Sequence, residues 1–228
     1  MKRLTVFLLS FALLLSFTAC AAEENPQTEA TTEPAASTQE QAGEQPASDA
    51  KILIAYFTAA ENSDVDAVSS ASVVTVNGEA KGCVQAVAEM IQSGTGGDLF
   101  SIQTEFDYPG NIGTLIEYAD GEQARNDRPA LATHIENLDD YDVIFIGYPN
   151  WWYDMPMAMY TFFEEYDFAG KTIIPFNTHR GSRFSSTIST IAELEPEATV
   201  IEDGFTFPGD NAADAAKDVA AWLEELEY

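Results

Sequence analysis

Residues 51–228 predict an α/β fold, an open three-layer sandwich in which a five-stranded parallel sheet lies between helices. Two observations carry this. Strand-like and helix-like runs alternate along the segment, and the strand-like runs are continuously apolar and rich in β-branched residues, as strands buried on both faces are. The segment also has the length of one domain with one core.

The first strand candidate is "KILIAYF" (51–57). A long loop follows, and its "VSSASVVTV" stretch reads as an insertion, a small hairpin or a flap over the rim. "CVQAVAEMIQ" (83–92) then places Val84, Val87, Ala88 and Ile91 on one helical stripe and stops at "SGTGG". "DLFSIQT" (98–104) is the second strand, and "NIGTLIEYADGEQARND" (111–127) a weaker helix interrupted by Gly121. "YDVIFIGY" (141–148) is the third strand, and "MPMAMYTFFEEY" (155–166) a helix with Pro156 near its first turn, where proline is tolerated. "KTIIPFN" (171–177) is the fourth strand, although Pro175 cannot donate to a ladder. "SSTISTIAEL" (185–194) is a helix, "TVIEDGFTF" (199–207) the fifth strand, and "DNAADAAKDVAAWLEEL" (210–226) the last helix. That helix opens on residues suited to capping and turns Ala213, Ala216, Val219, Ala220 and Leu223 inward.

The chain ahead of this domain reads differently. Lys2 and Arg3 precede an apolar run from Leu4 to Phe17, and "FTAC" closes it, the pattern of a secretory signal over residues 1–20. The run is too short and too poorly flanked for a stable membrane span. Cys20 at the boundary looks like the cysteine of a bacterial lipobox, which becomes an acylated N-terminus; Phe17 departs from the aliphatic residue common there, and ordinary cleavage near "TACAA" is the other reading. Residues 21–50 hold no aromatic or large aliphatic side chain, so nothing offsets the entropy of ordering them, and they read as a disordered tether. The expected location is therefore extracytoplasmic, anchored to the membrane by the lipid on Cys20.

Charge and composition exclude several functions. With 10 Lys and Arg against 38 Asp and Glu, the chain has a formal net charge of −28, which suits neither nucleic acid nor an anionic lipid surface. Cys83 is the one cysteine of the domain, so no internal disulfide is expected. His134 and His179 stand far apart without partner cysteines, so no dedicated transition-metal site is expected either. The serines lack a G-x-S-x-G elbow, Cys83 has no His or Asn marker nearby, and no carboxylate spacing marks an acid and base pair. That leaves chemistry carried by a cofactor.

In such sheets ligands bind beyond the carboxyl ends of the strands, and three loops converge there. "PNWWYD" after the third strand offers two indoles and a phenol, either as a stacking surface for a flat heteroaromatic ring or as a plug between helices. "NTHRGSRFSS" after the fourth combines Thr178 and Ser182 hydroxyls with His179, Arg180 and Arg183, and Gly181 permits close backbone approach, which fits an anionic ligand; a solvated turn with incidental charges is the other reading. The loop after the first strand reaches the first helix through Gly78, Lys81 and Gly82, and N–H groups at a helix start attract phosphate. Glu61, Asp64 and Asp66 would oppose an anion there, and neither G-x-x-x-x-G-K-[ST] nor G-x-G-x-x-G occurs.

"ILIAYF", the continuous stretch from "YDVIFIGYPNWWYD" to "THRGSRFSSTISTI", and "VAAWL" together resemble the flavodoxin-like FMN-binding proteins, in particular a bacterial branch with G-Y-P-x-W-W and T-H-x-G-S loops. The resemblance spans 51–226 and implies strand order 2-1-3-4-5 and a noncovalently bound FMN. It implies a phosphate site at Thr58 and Ala59 and at the backbone of Gly82, Cys83 and Val84. Relatives are hydroxyl-rich there, whereas this chain has "TAAEN" and "GCV" and would rely on backbone donors. The isoalloxazine site would fall on Pro149, Asn150, Trp151, Trp152 and Tyr153, with Thr178, His179, Arg180, Gly181 and Ser182 opposite. Arg180 or His179 would stabilise negative charge on a reduced ring, and the acidic surface would oppose it. The expected function is electron transfer with a redox partner, or a small flavin oxidoreductase activity; the alternative is a binding module of the same fold without FMN affinity.

Overall fold

The computed structural model describes residues 50–63 and 73–226. The signal-like segment, Cys20, the tether up to residue 49 and residues 64–72 of the insertion lie outside the described residues.

The apolar run at the start of the domain forms β1 (Ile52–Phe57), and a 3-10 turn follows at Ala59–Glu61. The described part of the insertion is a hairpin, β2 (Val73–Val76) and β3 (Glu79–Gly82). Asn77 and Gly78 connect its strands with φ of 53° and 88°, the left-handed pair of a type I′ turn. The hairpin leads straight into α1 (Cys83–Thr95), whose stripe of Val84, Val87, Ala88 and Ile91 is buried and which ends at Gly96 in the left-handed conformation. β4 (Asp98–Ile102) is followed by α2 (Ile112–Arg125). Asn111 caps α2 by accepting from the Gly113 and Thr114 N–H groups, and the helix runs through Gly121 without a break. Then come β5 (Val143–Pro149), α3 (Met157–Glu165), β6 (Thr172–His179) and α4 (Thr187–Leu194).

The main sheet is parallel, in the order β4-β1-β5-β6 and then a broken fifth strand, so the expected 2-1-3-4-5 order holds. The fifth strand is two pieces, β7 (Thr199–Val200) and β8 (Phe205–Pro208), both paired with β6. Pro175 explains the break. The Lys171 and Ile173 carbonyls accept from Thr199 and Ile201, so the odd-numbered residues of β6 face the fifth strand, and Pro175 presents its missing donor there. The β5–β6 ladder runs unbroken past it, with Ile146 opposite Pro175. The chain detours between Val200 and Phe205, and at Gly204 it approaches the Pro175 carbonyl more closely than any Cβ would allow.

Alternate side chains of each strand enter separate cores. Leu53, Ala55, Phe57, Ile144 and Ile146 pack with residues of α2, α3 and α4, and Ile54, Tyr56, Phe145, Ile174 and Phe176 pack with α1 and α5 (Ala216–Glu225). The last helix departs from its expected form. Residues 209–214 are a 3-10 turn, and α5 begins after Ala215 without a side-chain cap. The tighter 3-10 winding moves the buried positions to Ala212, Ala215, Val219 and Leu223, leaving Ala216 and Ala220 exposed.

Candidate functional site

At the end of β5 the chain makes a tight turn rather than a loose loop. The Trp151 N–H donates to the Asp154 carbonyl at 2.8 Å and the Asp154 N–H returns to Trp151 at 2.9 Å. Two residues connect them, and both have positive φ, 50° at Trp152 and 66° at Tyr153. That is the type I′ pattern, which favours Asn-Gly because a side chain bearing Cβ is strained there. Here an indole and a phenol occupy it, 48% and 70% exposed. Strain of this kind persists only where the surroundings impose it. The Asp154 carboxylate accepts from the Met155 N–H, from Tyr160 Oη and from Gln123 Nε2, and Trp152 Nε1–H donates to the Ile116 carbonyl of α2 at 2.9 Å.

The two tryptophans have opposite surroundings. Trp151 packs edge-on against Phe57 and Tyr108, with ring centroids 5.7 and 5.6 Å away. Trp152 faces solvent. Of the alternatives the sequence left open, packing describes Trp151, and a presented flat surface describes Trp152 and Tyr153.

Across from the turn, residues 180–185 leave β6 in an irregular path with positive φ at Gly181 (113°), Arg183 (53°) and Ser185 (53°). Two asparagines hold it. Asn150 at the end of β5 and Asn177 within β6 both donate to the Arg183 carbonyl, at 2.9 and 3.0 Å. Asn177 is fully buried and accepts from the Thr206 hydroxyl at 2.6 Å, which ties the loop to β8. His179 Nδ1 accepts from the Gly181 N–H at 2.8 Å, while burial and the Arg183 charge lower its pKa. His179 is therefore a neutral brace for the loop, and the cations there are Arg180 and Arg183. Arg180 pairs with Asp210 of the 3-10 turn before α5.

Turn and loop face each other across an open cleft of ≈ 360 Å³ lined by Asn150, Trp152, Tyr153, Arg180, Gly181 and Ser182. All six are among the residues singled out in the sequence. Pro149, Trp151, Thr178 and His179 stand behind the walls; Pro149 pairs with Thr178, whose carbonyl accepts from the Asn150 N–H at 2.8 Å.

The residues expected to hold a phosphate sit apart from the cleft lining. Thr58, Ala59, Gly82, Cys83 and Val84 are all buried. The Thr58 side chain lies on the Cα of Gly82, occupying the space a Cβ would need, and the Gly82 N–H donates to Gln85 Oε1 at 3.2 Å. Burial first, and the Asp210 charge with it, raise the Cys83 thiol to about 12 against the opposing Arg180 charge, so both charges act on the start of α1. A phosphate at this helix start would meet the Arg180 guanidinium and be opposed by Asp210.

Sequence reading missed the residues that shape the site from behind. Asp154 and Asn177 lie inside "PNWWYD" and "NTHRGSRFSS" without a role of their own there, and Tyr160 carries no motif. Asn62 is another: it is buried, donates to the Thr58 and Ile102 carbonyls and accepts from Thr104, fastening the end of β1 to the end of β4. Its one visible signal is a polar residue where the first rim loop begins.

The flavodoxin family profile matches residues 72–226. A protein from Bacteroides eggerthii DSM 20697, described as a candidate flavoprotein, is 28% identical with a TM-score of 0.59 over 77% of this chain and 97% of its own. A similarly described protein from Bacteroides uniformis ATCC 8492 is 26% identical with a TM-score of 0.60, over 77% and 99%. A flavoprotein from Lactobacillus acidophilus NCFM, solved in complex with FMN, shares the fold at 20% identity and a TM-score of 0.52, over 74% and 99%. No curated protein matches the chain.

Proposed function

From a chain that belongs to the flavodoxin family, we propose a protein that binds FMN without a covalent bond in the cleft between residues 150–154 and 180–185 and serves in electron transfer, as a carrier or a small flavin oxidoreductase. The observation that carries this reading is the strained turn. Two flat side chains are held with positive φ and left exposed, facing a loop that brings Arg180 and Ser182 to the same cleft. Core packing does not account for exposed aromatics in a conformation that disfavours them.

The residues fit the ring end of the cofactor. Trp152 and Tyr153 offer stacking surface and shield one face from water, and Arg180 and Ser182 offer donors on the opposite wall. Bound FMN would supply the redox chemistry that the side chains here lack. Arg180 favours negative charge on the ligand. The acidic domain disfavours it, and Asp210 takes up part of the Arg180 charge. At the phosphate end the start of α1 is buried, and Arg180, paired with Asp210, is the cation whose charge reaches it.

The membrane side of the proposal comes from the sequence: "FTAC" and Cys20 support a lipid anchor outside the cytoplasmic membrane, with residues 21–50 as the tether. Release of the protein from membranes on Cys20→Ala would support it, and unchanged membrane association would overturn it.

One observation favours a binding module of the same fold that takes a different flat ligand. Thr58, Ala59, Cys83 and Val84 are buried, and Arg180 is already paired with a carboxylate. Titration with FMN and with riboflavin decides between the two. An electron-transfer protein quenches the emission of both and holds FMN more tightly; a domain that has left flavins behind quenches neither.

A further inference from the structure

α2 backs the aromatic turn at three points. The Ile116 carbonyl accepts from Trp152 Nε1, Gln123 Nε2 donates to Asp154 Oδ2 at 3.3 Å, and Glu122 binds Tyr108, whose ring lies edge-on to Trp151. The third contact differs from the others because Glu122 is a carboxyl only 2% exposed. Tyr108 Oη reaches both of its oxygens at 3.2 Å. Tyr108 is itself buried at the centre of an aromatic cluster, with Phe57, Phe106, Tyr118 and Trp151 all between 5.6 and 5.8 Å by ring centroid. A buried carboxyl bonded to one phenol has half a shell of partners, enough for the neutral form and too few for the anion.

We propose that Glu122 is a positioning residue whose protonated carboxyl, accepting from the Tyr108 hydroxyl, keeps α2 seated behind the aromatic turn, so that the intact cleft wall and a flavin bound to it are favoured when Glu122 is protonated. The inference rests on the reading of the cleft as a flavin site. Ionised Glu122 is relieved by hydration, and hydration requires α2 to lift from Tyr108. The same movement pulls on the Ile116–Trp152 and Gln123–Asp154 contacts. The charged and titratable groups around Glu122 are few. Tyr118 and Arg125 come from α2 itself, Asp127 from the segment after it and Tyr108 from the loop after β4; Asp154 and Tyr160, on the turn and α3, bond to each other and reach α2 through Gln123. Burial raises the Glu122 pKa to about 7, with Asp127 adding to the rise and Tyr108 and Arg125 opposing it. Sites that need the protonated form lose apparent affinity as its fraction falls, about tenfold at one pH unit above that value.

The test compares wild type, Glu122→Gln and Tyr108→Phe, each first checked for folding by circular dichroism. Tryptophan emission of the ligand-free protein is followed from pH 5.5 to 8.5, and FMN affinity is measured at pH 6 and pH 8. Wild type should show an emission step near pH 7 and about tenfold weaker FMN binding at pH 8. Glu122→Gln should lose the step and most of the pH dependence, keeping only what the titration of the FMN phosphate contributes to both proteins. Tyr108→Phe, which removes a donor to the carboxylate, should move the step to higher pH. A step that survives in Glu122→Gln or stays put in Tyr108→Phe, or an affinity ratio equal in wild type and Glu122→Gln, overturns the proposal. If FMN binds at neither pH, the flavin reading fails, and the emission step alone decides whether Glu122 controls the turn.

Discussion

Replacing Trp152 and Tyr153 together by Asn and Gly should make the protein more stable and the cleft weaker. Both residues sit at positive φ in a two-residue turn that Asn-Gly adopts without strain. A left-handed residue bearing Cβ costs ~1–2 kcal/mol, so the pair stores ~2–4 kcal/mol. Against this, the variant loses the Trp152 Nε1 bond to Ile116, about 1 kcal/mol, and the little apolar area that a half-exposed indole covers. The balance is a gain of ~1–2 kcal/mol, which at a urea slope of about 2 kcal/mol per molar raises the midpoint by ~0.5–1 M. Stacking on an aromatic side chain contributes ~1–3 kcal/mol, so FMN affinity should fall about tenfold to a hundredfold. Urea unfolding followed by circular dichroism and an FMN titration measure the two changes on the same sample. A variant with a lower midpoint would refute the argument that the turn is strained. One with unchanged FMN affinity would refute the argument that the strain serves the ligand.

Four further changes test other parts of the structure. Trp151→Ala should cost ~2–4 kcal/mol in urea unfolding, because its ring fills space between Phe57 and Tyr108, whereas Trp152→Ala should cost ~1 kcal/mol or less. Asp210→Asn frees the Arg180 guanidinium and removes a carboxylate from the start of α1; for an exposed pair this should raise FMN affinity ~2- to 5-fold and riboflavin affinity by less, since riboflavin gains the freed ring donor but has no phosphate. Asn177→Ala leaves the Thr206 hydroxyl unpaired and removes one of the two donors to Arg183, which should cost ~2 kcal/mol in unfolding and broaden NMR signals across 180–185. The fourth change concerns pH. Glu122 has a folded-state pKa of about 7, above its ordinary 4.5, so the folded protein holds this proton where the unfolded chain releases it. Its contribution is therefore fully present below pH 4.5, declines as pH rises and is lost above about 7, a fall of about 3 kcal/mol at most. Glu122→Gln should remove that slope from urea midpoints measured between pH 5 and pH 8.

The sheet was legible because its signal is local. Runs such as "VIFIGY" are buried on both faces, and their apolarity says so residue by residue. Pro175 was legible as a broken rule but not as a cause. Its effect depends on the pleat, which turns its missing donor toward the fifth strand and splits that strand in two. The inward stripe of α5 departs from the one its sequence predicts because the 3-10 turn at 209–214 changes the winding before the helix starts, and Asp210, a residue suited to capping, is bound to Arg180. At the site, the residues that line the cleft announced themselves by type, two aromatics and a cationic glycine-containing loop. Which tryptophan points outward is decided by backbone φ at 152 and 153, and no composition encodes that. Glu122 was invisible for a related reason: among so many carboxylates, only the packing of Tyr108 and α2 marks the buried one.

The central claim, that the cleft between 150–154 and 180–185 holds a flavin, is tested most directly by adding the folded protein to FMN and following the visible absorption and emission of the flavin. Binding should be one to one, with quenched emission and a structured absorption band, and both should weaken in the Trp152→Asn/Tyr153→Gly variant. A folded protein that leaves the FMN spectrum and emission unchanged at micromolar concentrations would contradict the claim.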